Sequence, residues 1–267
     1  MGSSIISAIT DPLGSWALDE FYGAVLADPI LSDFYGDSGY TNFGYWDAAT
    51  TTATQACDRL VDELVERLGE IRGAILDVGC GTGGTTARLS EYFDPSTIAA
   101  INISPSQLDR ATLRVPGASF LNMDAAGMTF PDGCFAGVIC VEAAFHFRTR
   151  RRFLEEAFRV LEPGGALALS DLILIRGAPT IPWDNHVHDR AQYGDLLLDV
   201  GFEQIRIEPA LEKTWQGFRL HFSDFITANR QRYGWMASTR ALYFTNVTLA
   251  AMVRDVILAS ARKPVDE

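Results

Sequence analysis

The segment Leu76-Asp77-Val78-Gly79-Cys80-Gly81-Thr82-Gly83-Gly84 lies between a short apolar run and a helical stretch. Glycines let backbone approach a ligand with no Cβ in the way, and the helix start offers unpaired N–H groups, so this turn can hold a polar small molecule. Gly79, Gly81 and Gly84 satisfy the dinucleotide pattern GxGxxG, a weak signal by itself. Three features weigh against a dinucleotide. Asp77 would put a carboxylate close to a pyrophosphate, and it suits a cationic ligand better. The second strand ends Ile101-Asn102-Ile103, without the acidic residue expected roughly 20 residues on to hold a ribose, although Asn102 can still bond a hydroxyl. The alternating pattern also runs on past a fifth strand.

His146, in EAAFHF, is the leading general base. It follows the fourth strand at the sheet edge where doubly wound folds bind ligands, and a neutral imidazole accepts a proton near pH 7. Asp171 on the fifth strand is close enough to that edge to orient it. The competing reading has His146 packing against a ligand or capping the next helix. His186 and His188, with Asp184 and Asp189, have a spacing compatible with a metal, but no third well-placed ligand is apparent, so they are read as lining a substrate loop with no metal. His221, among Phe218, Phe222 and Phe225, is read as packed or pocket-lining. The run Arg148 to Arg152 could attract an anionic substrate. It precedes a helix whose Glu155 and Glu156 can pair with it, which favours a solvated surface.

These residues need elements to hold them. From Thr54 to Leu68, Ala56, Leu60, Leu64 and Leu68, flanked by Val61 and Val65, form one buried helical face closed by Gly69. AILDVG reads as a strand, Thr85 to Tyr92 as a helix, STIAAINIS as a second strand, Ser104-Pro105 as the start of a helix through Leu113, and ASFLNMD as a third strand. A turn at Pro131-Asp132-Gly133, the strand AGVICVE, a helix from Arg151 to Leu161, a turn at Pro163-Gly164-Gly165 and the strand ALALSDLIL follow. Strands apolar at every position, alternating with helices, indicate an α/β doubly wound, mostly parallel sheet covered on both faces. Beyond it come a helix from Asp189 to Val200, the strand FEQIRIEPA, a helical insert from about Trp215 to Ala250 and a last strand, DVILASA. The insert is rich in Trp215, Phe218, Phe222, Tyr233, Trp235 and Tyr243. With Trp183, several of these are expected to line an apolar acceptor pocket beneath a lid.

The chain has 22 Lys and Arg against 34 Asp and Glu, a net charge of −12. That field disfavours nucleic acid and anionic membrane. No apolar run approaches the roughly 18 residues of a membrane span, the start MGSSIISAITDPLGSW has no basic leader region, and four scattered cysteines without a CxxC pair suit reduced thiols. A cytoplasmic protein is expected, with a homo-oligomer left open.

LDVGCGTGG resembles the first motif of the class I S-adenosylmethionine-dependent methyltransferases. INISPSQLDRA resembles the second-strand segment of one small-molecule branch, MDAAGMTFPDGCFAGVICVEAAFHF its adenine-binding and fourth-strand motifs, and RVLEPGGALALSD the motif ending in the fifth strand. NFGYW, from Asn42 through Tyr45 to Trp46, resembles the N-terminal segment folded over the cofactor. The resemblance covers about Tyr40 to Leu174. It implies a Rossmann-like seven-stranded fold with an N-terminal helical cover over 1–53, and a methyltransferase domain over 54–267 that includes a lid at about 211–250. It also implies S-adenosylmethionine as cofactor. Gly79, Cys80, Gly81 and Gly83 would pass its methionine and ribose, with Asp77 nearby. Asn102 would meet the ribose with Gln107 assisting, Ile103 the adenine ring, and Asp124 and the Ala125 backbone the adenine amino group. Glu142 and Ala143 would face the methionine moiety. The branch includes sugar and macrocycle O-methyltransferases of natural-product biosynthesis, which resemble this chain in a His after strand four and an Asp on strand five. More distant members transfer to carbon on sterols, quinones and prenyl chains. The favoured expectation is methyl transfer to a hydroxyl of an apolar secondary metabolite. Carbon transfer, a cofactor-binding protein or cyclase that transfers no methyl, and a dinucleotide reductase are the alternatives.

Overall fold

The computed structural model describes residues 15–175 and 181–265, with side chains from Asp19 onward. The strands are β1 (Ile75–Val78), β2 (Ile98–Asn102), β3 (Ser119–Asn122), β4 (Phe135–Val141), β5 (Leu161–Leu174), β6 (Glu203–Pro209) and β7 (Val253–Arg262). They form one sheet in the order β3-β2-β1-β4-β5-β7-β6. All neighbours pair in parallel except β7, which runs antiparallel to both β5 and β6. From β1 the chain winds outward through β2 to β3, then returns to place β4 on the other side of β1. The carboxyl ends of β1 and β4 therefore flank the crevice at the switch of winding direction.

Every residue of β1 and β4 is buried, as two-sided strands require, whereas β3 on the sheet edge is largely exposed. Helix α3 (Ala53–Leu68) starts where Thr52 and Gln55 form a reciprocal capping box. Its expected face, Ala56, Leu60, Val61, Leu64 and Leu68, is buried and packs on β5 and β7. Helices α4 (Gly84–Leu89) and α5 (Pro105–Arg114) follow β1 and β2. Gly83, at φ +88°, begins α4, and a Cβ there would lie 2.9 Å from Ala111 Cα on α5, so only glycine lets the two helices come this close. Helix α6 (Arg150–Val160) leads into β5 and α7 (Arg190–Val200) into β6. The turn expected at Pro163-Gly164-Gly165 is absorbed into β5 as an irregularity, because pairing with β4 resumes at Gly137 and Ala166 after Phe135 and Leu161.

Two helical layers cover the carboxyl edge. The N-terminal one contributes α1 (Ser15–Ala27) and α2 (Pro29–Tyr35), the latter capped by Asp28; residues 1–14 of the expected cover lie outside the described residues. The second, inserted between β6 and β7, contains α8 (Gly217–Ala228), α9 (Arg230–Tyr233) and α10 (Trp235–Tyr243), continued by helical turns to Met252. Aromatic packing knits the layers together. Phe34 on α2 meets Phe218, Phe222 and Phe225 on α8 at ring centroid distances of 5.7, 4.9 and 5.4 Å. No helix among the described residues is long and apolar enough to cross a membrane.

Candidate active site

A cavity of about 1140 Å³ lies over the carboxyl edge of the sheet and under both helical layers. A single small ligand usually fills roughly 300–1,000 Å³, so this space accommodates two molecules side by side. One part of the wall comes from the ends of β1, β2, β3 and β4 and the segments that follow them: Gly79, Cys80, Gly81, Asn102, Ile103, Gln107, Asp124, Glu142 and Ala143. The other part comes from apolar side chains that include Phe145, Leu172, Leu174, Phe218, Phe222, Phe244 and Leu249.

At the first end the backbone itself is the cradle. Gly79 N and Cys80 N both bond Ile101 O, at 2.9 and 3.1 Å, which folds the turn back over β2. Gly79 sits at φ +77° with Ala143 Cβ 2.6 Å from where its own Cβ would be, so a side chain there would close the crevice. Asn102 Nδ2 donates to Gln107 Oε1 at 2.8 Å, and Asn102 Oδ1 accepts the Ile103 N–H at 3.0 Å. Helix α1 is tied to this corner, since the Ser104 hydroxyl donates to Asp19. Glu142, at φ +47°, accepts the Phe43 N–H at Oε2, 2.9 Å away, while its buried Oε1 has no hydrogen-bond partner among the described residues. Burial pushes the Glu142 carboxyl up to about 8. A buried carboxyl with an unused oxygen, a glycine cradle and paired amides suits a ligand with a cationic end and hydroxyls. S-adenosylmethionine has both, so the residues present fit that cofactor.

Ten of the sequence-derived cofactor and base candidates line the cavity, namely Gly79, Cys80, Gly81, Asn102, Ile103, Gln107, Asp124, Glu142, Ala143 and His146. Five do not, and each has another role. Asp77 is buried beneath α4, accepts the Thr86 hydroxyl at 2.6 Å and is raised to about 7 by burial, so it joins β1 to that helix. Gly83 serves the close approach of α4 and α5, and Ala125 is buried in the apolar core. The Tyr45 ring points away, with Lys213 Nζ 5.0 Å from its centroid, and the residues of NFGYW that reach the cavity are Asn42 and Phe43. Asp171 corrects the expectation that it orients His146. Its Oδ2 is bonded by Arg150 Nε at 2.6 Å and by the Tyr193 hydroxyl at 3.0 Å, and Oδ1 by the Leu172 N–H at 2.8 Å, all out of solvent. A buried guanidinium at the start of α6 outcompetes an imidazole for this carboxylate.

His146 lies in the short helical turn Ala144–His146 after β4 and lines the cavity. Its Nε2 is 2.9 Å from the Tyr22 hydroxyl, and the two rings meet edge to face at 5.6 Å. Burial, with the nearby Glu142 charge, holds the Tyr22 phenol well above its usual range, so the hydroxyl keeps its proton. Tyr22 left no signal in the sequence, because 124 residues separate it from His146. The Arg run is split by the fold: Arg148 lines the cavity, Arg150 is the buried partner of Asp171, and Arg151 pairs with Asp199 on the surface. Of the aromatics expected in the pocket, Phe218 and Phe222 line it. Trp183, Trp215, Tyr233, Trp235 and Tyr243 do not, and Phe244 takes a place in the wall instead. His221 stacks on Trp46 at 4.0 Å. His188 sits on the surface beside Asp189 and Arg254, and no cluster of three metal-ligating side chains occurs among the described residues.

Residues 76–169 match the family described as a methyltransferase domain. O-methyltransferase rstn1 of Aspergillus nomiae is 36% identical over 151 residues, covering 53% of this chain and 67% of that protein. The 27-O-demethylrifamycin SV methyltransferase of Amycolatopsis mediterranei is 34% identical over 153 residues, 55% of each chain. The chain thus spans between about half and two thirds of the length of these curated relatives. Among solved structures, that of the 4+2 cyclase SpnF superposes with a TM-score of 0.74 at 25% identity, covering 95% of this chain and 98% of that one. Motif order, sheet order, a glycine cradle ending in an unpaired buried carboxyl, and this level of identity converge on one conclusion: the chain belongs to the class I S-adenosylmethionine-dependent methyltransferases.

Proposed function

We propose that this enzyme methylates a hydroxyl of a small, largely apolar acceptor, with His146 as general base. The observation that carries the proposal is that His146 lines the same cavity as the glycine turn and Glu142, with its ring 3.9 Å from that of Phe145 in the apolar wall. When bound, S-adenosylmethionine supplies an electrophilic methyl on a sulfonium that is already an activated leaving group. Glu142 and the amides of Asn102 and Gln107 bind and orient at one end, and Phe218, Phe222 and Leu249 exclude water at the other. With its Nε2–H donated to the Tyr22 oxygen, which holds the imidazole in place, His146 accepts the proton of the acceptor hydroxyl at Nδ1 as the acceptor oxygen takes the methyl. The relatives named for O-methylation support oxygen as the acceptor atom.

The likeness to a 4+2 cyclase supports a second reading, in which the same cavity holds the cofactor without transferring its methyl. Incubation with methyl-labelled cofactor and a metabolite extract separates the two. Label on an acceptor oxygen, located by mass spectrometry, supports the first. Label on carbon points to the C-transferring alternative, and cofactor binding with no label transferred points to the cyclase.

A further inference from the structure

The cavity's charge is unevenly distributed. At the cofactor end its walls include the carboxyl groups of Asp19, Asp124 and Glu142. Two cations also enter the wall, Arg148 from the loop after β4 and Arg240 from α10. Neither has an ion pair or a hydrogen bond among the described residues, whereas Arg150 and Arg151, next to Arg148 in the chain, are both paired with carboxylates. The remaining acid of the wall, Asp28, caps α2 and accepts the N–H groups of Ile30 and Leu31 at Oδ1. Both side chains are solvent-exposed, so in a chain of net charge −12 they place two guanidinium groups without a carboxylate at the open rim of a largely apolar cavity. Guanidinium binds carboxylate and phosphate through parallel N–H donors, and at an exposed rim that attraction is screened by salt.

We infer that the acceptor is an amphipathic anion, whose carboxylate or phosphate is drawn by Arg148 and Arg240 while its apolar body packs against Phe145, Phe218, Phe222 and Leu249. This rests on the assignment of the apolar end to the acceptor. It makes the two arginines determinants of specificity, and it fixes the substrate class by charge.

The test compares naphthalene probes with the same apolar body and a free hydroxyl: hydroxynaphthoate, its neutral amide, and hydroxynaphthyl phosphate. Each is titrated into the full-length protein saturated with S-adenosylhomocysteine. The carboxylate, the phosphate or both should bind about tenfold tighter than the amide at low salt, and the gap should shrink as salt is added. The stronger of the two anions identifies the head group. In the double variant Arg148→Gln, Arg240→Gln the gap should close while S-adenosylhomocysteine affinity stays within about twofold, which shows an intact fold. Neither anion binding better than the amide, including neither binding at all, overturns the inference, as does a gap that survives the double variant. The same probes offered with labelled cofactor keep the two proposals apart. Equal binding and equal methylation of charged and neutral naphthols would sink the charge selection alone. A charge-selective site with no methyl reaching any hydroxyl would sink the O-methylation proposal alone.

Discussion

The Tyr22 hydroxyl and His146 Nε2 stand 2.9 Å apart, which joins the first described helix to the loop after the fourth strand at the centre of the cavity. The N-terminal layer thus holds the imidazole that we propose as the base. Tyr22→Phe keeps the ring packing and removes the hydroxyl. A single net hydrogen bond is worth about 0.5–1.5 kcal/mol, so kcat should fall by about two- to tenfold, with cofactor affinity nearly unchanged in calorimetric titration. An unchanged kcat would show that the bond has no part in catalysis.

His146→Ala removes the proposed proton acceptor itself. Turnover should drop by about 10²- to 10⁴-fold, the usual contribution of general base catalysis, while S-adenosylhomocysteine still binds. The measurement is single-turnover methyl transfer on the variant, and full activity would assign His146 to packing.

Glu142 gives the protein a pH signature. Its carboxyl stands at about 8 in the folded protein against 4.5 as the ordinary value. Between those limits the folded state holds more protons than the unfolded state, so stability falls as pH rises through the window, by about 1.4 kcal/mol per pH unit at most. A cationic ligand favours the ionised carboxyl, so cofactor binding at neutral pH should release a proton, and affinity should climb up to about pH 8 and then level. Calorimetry in buffers of different ionisation enthalpy reads the proton directly. Glu142→Gln should abolish both the release and the pH dependence, and release that persists in this variant would place the titrating group elsewhere.

Asp171 and Arg150 form a buried pair at 2.6 Å, with side-chain exposures of 0% and 3%. Asp171→Ala strands the guanidinium and should cost about 3–5 kcal/mol of stability, read by denaturant unfolding. The pH profile of kcat in Asp171→Asn should keep its shape. A shifted acidic limb, where the base loses its proton, would restore Asp171 as the partner of the base.

Gly79 and Gly83 differ in what they touch. Gly79→Ala forces a Cβ to 2.6 Å from Ala143 Cβ in the cavity wall and should weaken S-adenosylhomocysteine binding by about tenfold or more. Gly83→Ala pushes α4 off Ala111 at a left-handed backbone position and should appear mainly as lost stability, about 2 kcal/mol. Equal effects on affinity would mean that both glycines face the cofactor.

The sequence by itself determined the elements and the chemistry at strand ends. Periodicity located the seven strands and α3, because an apolar side chain must be buried wherever its element packs, and that requirement repeats with the geometry of the element. Glycines and polar residues just after β1, β2 and β4 were legible as a ligand site because a parallel sheet puts all those ends on one edge. Tertiary structure alone decided which side chains face the cavity. Asp77 and Asp171 lie on strands that reach the correct edge, yet one is taken by Thr86 and the other by Arg150 and Tyr193, since a buried carboxylate must bond its nearest donors. Tyr22, Phe43, Arg148 and Arg240 enter the wall from segments far apart in the chain, brought together by the packing of Phe34 against α8 and by the N–H of Phe43 on Glu142. Spacing along a chain carries no record of contacts made across so many residues; only the folded path supplies them.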